Sequence, residues 1–141
     1  MSMLVFLDTN VFIWAYNRHD SNSAKILDLM DDGTIKVIVS EKVIEELKKY
    51  FLIYFDENIW FSVFKHIIAN SDIIKREEIL DEIIKWRGKI KEKDLENLVT
   101  VKYIGLKYLI ALDDHYEDFE EYMTPKAFIK YMGLKPSETE Y

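Results

Sequence analysis

The run Met3-Leu-Val-Phe-Leu7 is apolar at every position and stops abruptly at Asp8. A strand with one wet face alternates apolar and polar residues, whereas an unbroken apolar run is covered on both faces, as strands of parallel sheets are. Ile35 to Val39 reads as a second such strand. Tyr108 to Leu112 reads as a third, closed by Asp113. Helical patterns separate them. Val11 to Tyr16 and Ser23 to Met30 are short helices, the second with Ile26, Leu27 and Met30 on one face, and Asp31-Asp-Gly-Thr34 forms a turn. Ser40 is placed to cap a helix carrying Val43, Ile44, Leu47 and Phe51 inward. Ile59 to Ala69 is helical. Glu77 to Trp86 follows as an amphipathic helix with the stripe Ile79, Leu80, Ile83 and Ile84. Asp94 is expected to cap a helix through Ile104, with Leu95, Leu98 and Val99 facing the core and Gly105 ending it. Thr124 and Pro125 open a last helix. Strands alternating with helices imply parallel pairing through right-handed crossovers. The expected class is α/β, one mostly parallel sheet covered on both faces. The length of 141 residues, without repeat or linker, fits one domain, 1–141.

Composition narrows the chemistry. The absence of cysteine excludes disulfides and thiolate metal sites and agrees with a reducing compartment. No charged-then-apolar leader precedes Asp8, and the aromatic stretch Tyr50 to Phe64 is interrupted by Asp56, Glu57 and Asn58. The expectation is a cytoplasmic protein without a membrane span. A net charge of −7 argues against a protein that grips nucleic acid by bulk charge. It leaves room for an enzyme whose carboxylates carry metal.

Ligands of open parallel sheets sit beyond the carboxyl ends of the strands. Asp8 and Asp113 both follow strand ends, so both are delivered to that edge. Asp94 opens the helix feeding the third strand. The second strand ends at Ser40 and offers Glu45 or Glu46 from the helix beyond; Glu46 borders the Val43/Leu47 face, while Glu45 points with Lys48 and Lys49. Carboxylates crowded without a cation raise one another's pKa. A hard divalent ion, Mg²⁺ or Mn²⁺, removes that conflict and can activate water against a phosphodiester. Taken singly, each acid has a plainer reading: Asp8 and Asp94 as helix caps, Asp113-Asp114 as turn residues, Glu45-Glu46 as a solvated helix face.

The ordered set resembles the PIN-domain family, including VapC-type toxins of toxin–antitoxin pairs. Leu7-Asp8-Thr9-Asn10-Val11 resembles its opening motif. Val39-Ser40-Glu41-Lys42-Val43-Ile44-Glu45-Glu46-Leu47 resembles its second, in which the acid precedes Leu and is therefore Glu46. Asp94, with Asp113 nineteen residues later and Gly105 between, resembles the third and fourth acids. Thr124-Pro125-Lys126-Ala127-Phe128 resembles the closing segment. The resemblance implies a three-layer α/β/α fold and a metal-dependent endoribonuclease that is frequently a homodimer, and in the toxins an antitoxin partner. It implies Asp8, Glu46, Asp94 and Asp113 as the catalytic, metal-ligating set, with Asn10 and Thr9 beside them. The chain departs from the family at Ala111, where a Thr usually stands, and Asp114 competes with Asp113 for the fourth place.

Lys85, Arg87, Lys89, Lys91 and Lys93 precede Asp94. Lys89 and Lys91 are candidates for RNA phosphate contacts; otherwise the stretch is a solvated loop. Tyr50, Phe51, Tyr54, Phe55, Trp60, Phe61 and Phe64 supply either core or a docking surface for a partner. His19, His66 and His115 show no paired metal spacing; His115 lies near Asp113, within reach of a substrate, but the plainer reading of all three is structural or surface. Aspartyl-phosphate chemistry at Asp8 would require a second Asp where Asn10 stands. The remaining competitor is a catalytically weak or inactive PIN-like module that binds RNA or a protein partner, which Ala111 and the acidic surface favour.

Overall fold

Five parallel strands form the sheet of the computed structural model, which describes residues 3–141. Met1 and Ser2, part of the expected unit 1–141, lie outside the described residues. The strands are β1 (Met3–Leu7), β2 (Ile35–Ser40), β3 (Ser71–Ile74), β4 (Leu109–Ile110) and β5 (Tyr122–Met123), in the order β3-β2-β1-β4-β5. Every neighbouring pair is parallel; Val5 lies opposite Val37, and Leu7 opposite Ile110. The chain winds from β1 out to β3, then crosses back to β4. The sheet therefore reverses its direction of growth between β1 and β4, and in open parallel sheets ligands bind at the carboxyl ends of the strands at such a point.

Seven α-helices are present among the described residues: α1 (Thr9–Asn17), α2 (Asn22–Asp31), α3 (Glu41–Tyr54), α4 (Glu57–Asn70), α5 (Leu80–Trp86), α6 (Glu92–Ile104) and α7 (Pro125–Tyr131). With the sheet they make three layers, α/β/α. Val5, Phe6 and Leu7 are fully buried, but Met3 is half-buried and Leu4 is exposed, so only the carboxyl half of the apolar run is covered on both faces. Burying a side chain such as Phe6 or Leu7 contributes roughly 1.5–3 kcal/mol. Ser40 caps α3, its hydroxyl accepting from the Val43 amide at 3.2 Å. Thr124 caps α7 in the same way, with Pro125 in the first turn. Gly105 ends α6 at φ 75°, the left-handed conformation that glycine adopts without strain.

Four expectations need correction. The stretch Glu77 to Trp86 is not one amphipathic helix: a 3-10 turn, Arg76–Ile79, passes into α5. Only Ile79 and Ile83 of its stripe are buried, against Leu95 and Val99 of α6, while Leu80 and Ile84 face solvent. The third strand is two residues, not Tyr108 to Leu112, so Asp113 follows a short connection rather than the strand itself. Two edge strands, β3 and β5, had no apolar run to announce them. Finally, α6 begins at Glu92, and Asp94 lies within its first turn instead of capping it.

Candidate metal centre

β1 ends at the reversal point of the sheet, and this places Asp8 at the carboxyl edge between β1 and β4. Its carboxylate caps α1, accepting from the Thr9 amide at 2.8 Å. The cap reading and the site reading thus hold for the same residue. Asp8 is buried, and burial, with the nearby carboxylates of Glu46, Asp94 and Asp113, pushes its pKa up from 3.8 to about 7, against the lowering effect of the Thr9 amide. Acids from four separate segments therefore act on one another electrostatically, although among the described residues Asp94 and Asp113, with His115, are the ones at mutual ligand spacing.

Each of the others is held in its own way. Glu46, in the second turn of α3, accepts a hydrogen bond from the Thr9 hydroxyl at 2.7 Å. Glu45 turns away and pairs with Arg76. Asp94, nearly buried in the first turn of α6, lies 3.0 Å from Nδ1 of His115. Asp113 caps the 3-10 turn Asp114–Tyr116, accepting from the His115 amide, and lies 3.7 Å from the Lys93 ammonium. Asp114 is exposed, at the start of that turn. The structure thus sets Glu46 and Asp113, rather than Glu45 and Asp114, toward Asp8.

Two further residues complete the pocket: Asn97, which sequence reasoning passed over, and His115, which it set aside as structural or surface. Asn97, buried one turn along α6 from Asp94, donates from its amide to Asp8 at 3.0 Å and accepts from the Ser40 hydroxyl at 2.6 Å. Ser40 therefore caps α3 and also fixes the amide that orients Asp8. The signal was available, since Asp94 and Asn97 are three apart and share one face of a helix otherwise rich in Leu and Val. His115, expected to be structural or surface, instead stands between two acids, its Nδ1 3.0 Å from oxygens of both Asp94 and Asp113. Asp94, Asp113 and His115 each offer a ligand atom, all within 4.8 Å of one another.

Of the remaining candidates, Asn10 is exposed beside the pocket and Thr9 is buried against Glu46. Lys91 approaches Nε2 of His115 at 3.3 Å, whereas Lys89 lies over the Trp86 ring. Arg87 pairs with Glu92 and Lys85 with Glu82, so part of the basic stretch is neutralised locally. Ala111 is fully buried, and its amide donates to the Met123 carbonyl to bind β4 to β5. The aromatic cluster divides: Phe51 and Trp60 belong to the core, while Tyr54, Phe55 and Phe61 face solvent.

A doubly wound parallel sheet with acids gathered at its reversal point defines the class. The sequence model of the PIN domain matches residues 4–123, and the chain belongs to that family. Comparison with curated proteins gives no match. Among solved structures, a toxin–antitoxin complex from Klebsiella pneumoniae is similar with a TM-score of 0.63 at 17% identity, over 86% of this chain and 97% of that one. VapBC2 from Rickettsia felis, bound to a DNA fragment from its promoter, gives 0.61 at 17% identity over 86% and 96%. VapC20 of Mycobacterium tuberculosis, a toxin that cleaves the sarcin–ricin loop, gives 0.62 at 12% identity over 81% and 93%. At such identities the likeness is one of fold.

Proposed function

We propose that the chain is an endoribonuclease dependent on Mg²⁺ or Mn²⁺, with Asp8, Glu46, Asp94 and Asp113 around the metal. The observation that carries this reading is Asp8: a buried carboxyl facing three other acids, with no cationic side chain bonded to it among the described residues. Leaving like charges so placed is costly in a protein that has no use for them. The donor set fits a hard cation, being oxygen-rich and open on the side of Asp113.

When bound, such an ion lowers the pKa of a water and offsets the charge that gathers on the phosphodiester as it is cut. The chain's own residues prepare that site. Asn97 and the Thr9 amide aim the Asp8 carboxylate, and the Thr9 hydroxyl aims Glu46. Lys91 and Lys93 stand at the mouth, placed to hold phosphates of the RNA on either side of the scissile bond. Asn10, exposed next to Asp8, is placed to meet the substrate.

The family and the three structural relatives support a toxin role. An antitoxin protein and a second copy of the chain are the partners this implies, and Ile53, Tyr54 and Phe61 are exposed apolar surface for such contacts. A cytoplasmic location goes with this role; separately, no helix of the described residues is long and apolar enough to cross a membrane. The buried Ala111 methyl favours a second reading, a PIN-like module that binds RNA without cutting it. Incubation with labelled single-stranded RNA separates the two. Cleavage that needs Mn²⁺ or Mg²⁺ and stops with a chelator is expected; metal binding without cleavage leaves the binding module.

A further inference from the structure

We infer that His115 is a metal ligand in this chain, making its centre a mixed nitrogen–oxygen site that prefers Mn²⁺ and later transition ions to Mg²⁺. The inference rests on the metal reading above and adds to it a residue that the four acids do not include.

The first ground is distance. Nδ1 of His115 lies 3.0 Å from an oxygen of Asp94 and 3.0 Å from an oxygen of Asp113. Neighbouring ligands of an octahedral ion, bound at about 2.1 Å, stand roughly 3 Å apart. The ring is therefore already at ligand spacing from both carboxylates. The second ground is anchorage: the His115 amide donates to Asp113 at 3.0 Å, so backbone and ring are tied to the same acid. The third is Tyr116, the next residue. It is fully buried, and its hydroxyl, turned toward Asp94 and Asn97, makes no well-formed hydrogen bond to either. A metal-bound water at this cluster would give that hydroxyl a full partner.

Without an ion, Nδ1–H can donate to the two carboxylates while Nε2 accepts from Lys91. Coordination through Nδ1 leaves Nε2 as the ring nitrogen that carries hydrogen, so it no longer accepts from Lys91, and that exposed side chain turns outward. Imidazole nitrogen is a poorer partner for Mg²⁺ than carboxylate oxygen and a better one for transition ions. The ring thus biases the choice of metal as well as adding affinity.

Pulsed EPR of the protein loaded with Mn²⁺ alone tests this. A ¹⁴N coupling to Mn²⁺ is expected in the wild type and is lost in His115→Ala and His115→Gln, with circular dichroism confirming that both are folded. By titration, Mn²⁺ affinity should fall about tenfold or more in His115→Gln while that for Mg²⁺ changes little. Mn²⁺ bound without nitrogen coupling overturns the role of His115 and leaves the carboxylate site standing. No Mn²⁺ binding to the wild type overturns both.

Discussion

The two halves of the acidic pocket are held by opposite means. On the inner side, Asp8 is buried and receives only uncharged donors, the Thr9 amide and the Asn97 side chain. On the outer side, Asp113 is partly exposed and meets Lys93 and His115. Neutral donors fix geometry but leave the negative charge uncompensated in a low-dielectric setting, which is why the Asp8 pKa rises to about 7. The outer half already has a cationic neighbour in Lys93 and a path to water. The comparison teaches that the pocket is shaped to aim charge inward and admit a cation and a substrate from the outer side.

The strongest way to break this comparison is Asp8→Asn. It keeps the cap oxygen and the shape while removing the charge, so RNA cleavage in Mn²⁺ should fall on the order of a thousandfold, with unchanged circular dichroism. Retained activity would remove Asp8 from the metal set.

The same variant sharpens the inner half through stability. In metal-free protein, a carboxyl whose folded pKa is about 7 and whose unfolded value is 3.8 favours folding least when ionised. The resulting penalty is absent below pH 3.8, grows as pH rises through 7 and is complete above it. Asp8→Asn escapes it, so with chelator present the variant should gain stability over wild type at pH 8, by at most about 4 kcal/mol, and almost nothing at pH 4. Thermal melts at the two pH values read this; equal differences at both would show that the inner carboxyl is not strained by its surroundings.

Asn97→Ala removes the link between Ser40 and Asp8. Unfolding in urea should show a loss of about 1–3 kcal/mol, and Mn²⁺ affinity should drop roughly tenfold or more. The smallest effect belongs to the outer half. Lys93→Ala gives up an exposed, long pair with Asp113 and should change stability by less than ~1 kcal/mol. A larger loss would make the outer half as rigid as the inner one.

Much of this was legible because burial on both faces leaves a plain mark. Val5–Leu7 and Val37–Ser40 are buried without a break, the exposed Leu4 and Lys36 standing before them, and Ser40, Gly105 and Thr124 carry their helix ends in their own chemistry. The strands β3 and β5 were not legible. Ser71–Ile74 is a partly exposed edge and Tyr122–Met123 is too short for any period to show. Their pairing is decided by neighbours distant in sequence, not by local preference. Within the site, the acids stood out by their positions after apolar strands. Asn97 and His115 did not, because a helical Asn and a lone His in a turn have many uses, and only the fold brings Asn97 to Asp8 and His115 between Asp94 and Asp113.

An anomalous difference map from crystals soaked in MnCl₂ bears most directly on the whole account. A manganese peak among the carboxylates of Asp8, Asp94 and Asp113 is the predicted result. Density from water alone at that place, in crystals where manganese is found elsewhere on the protein, would contradict it.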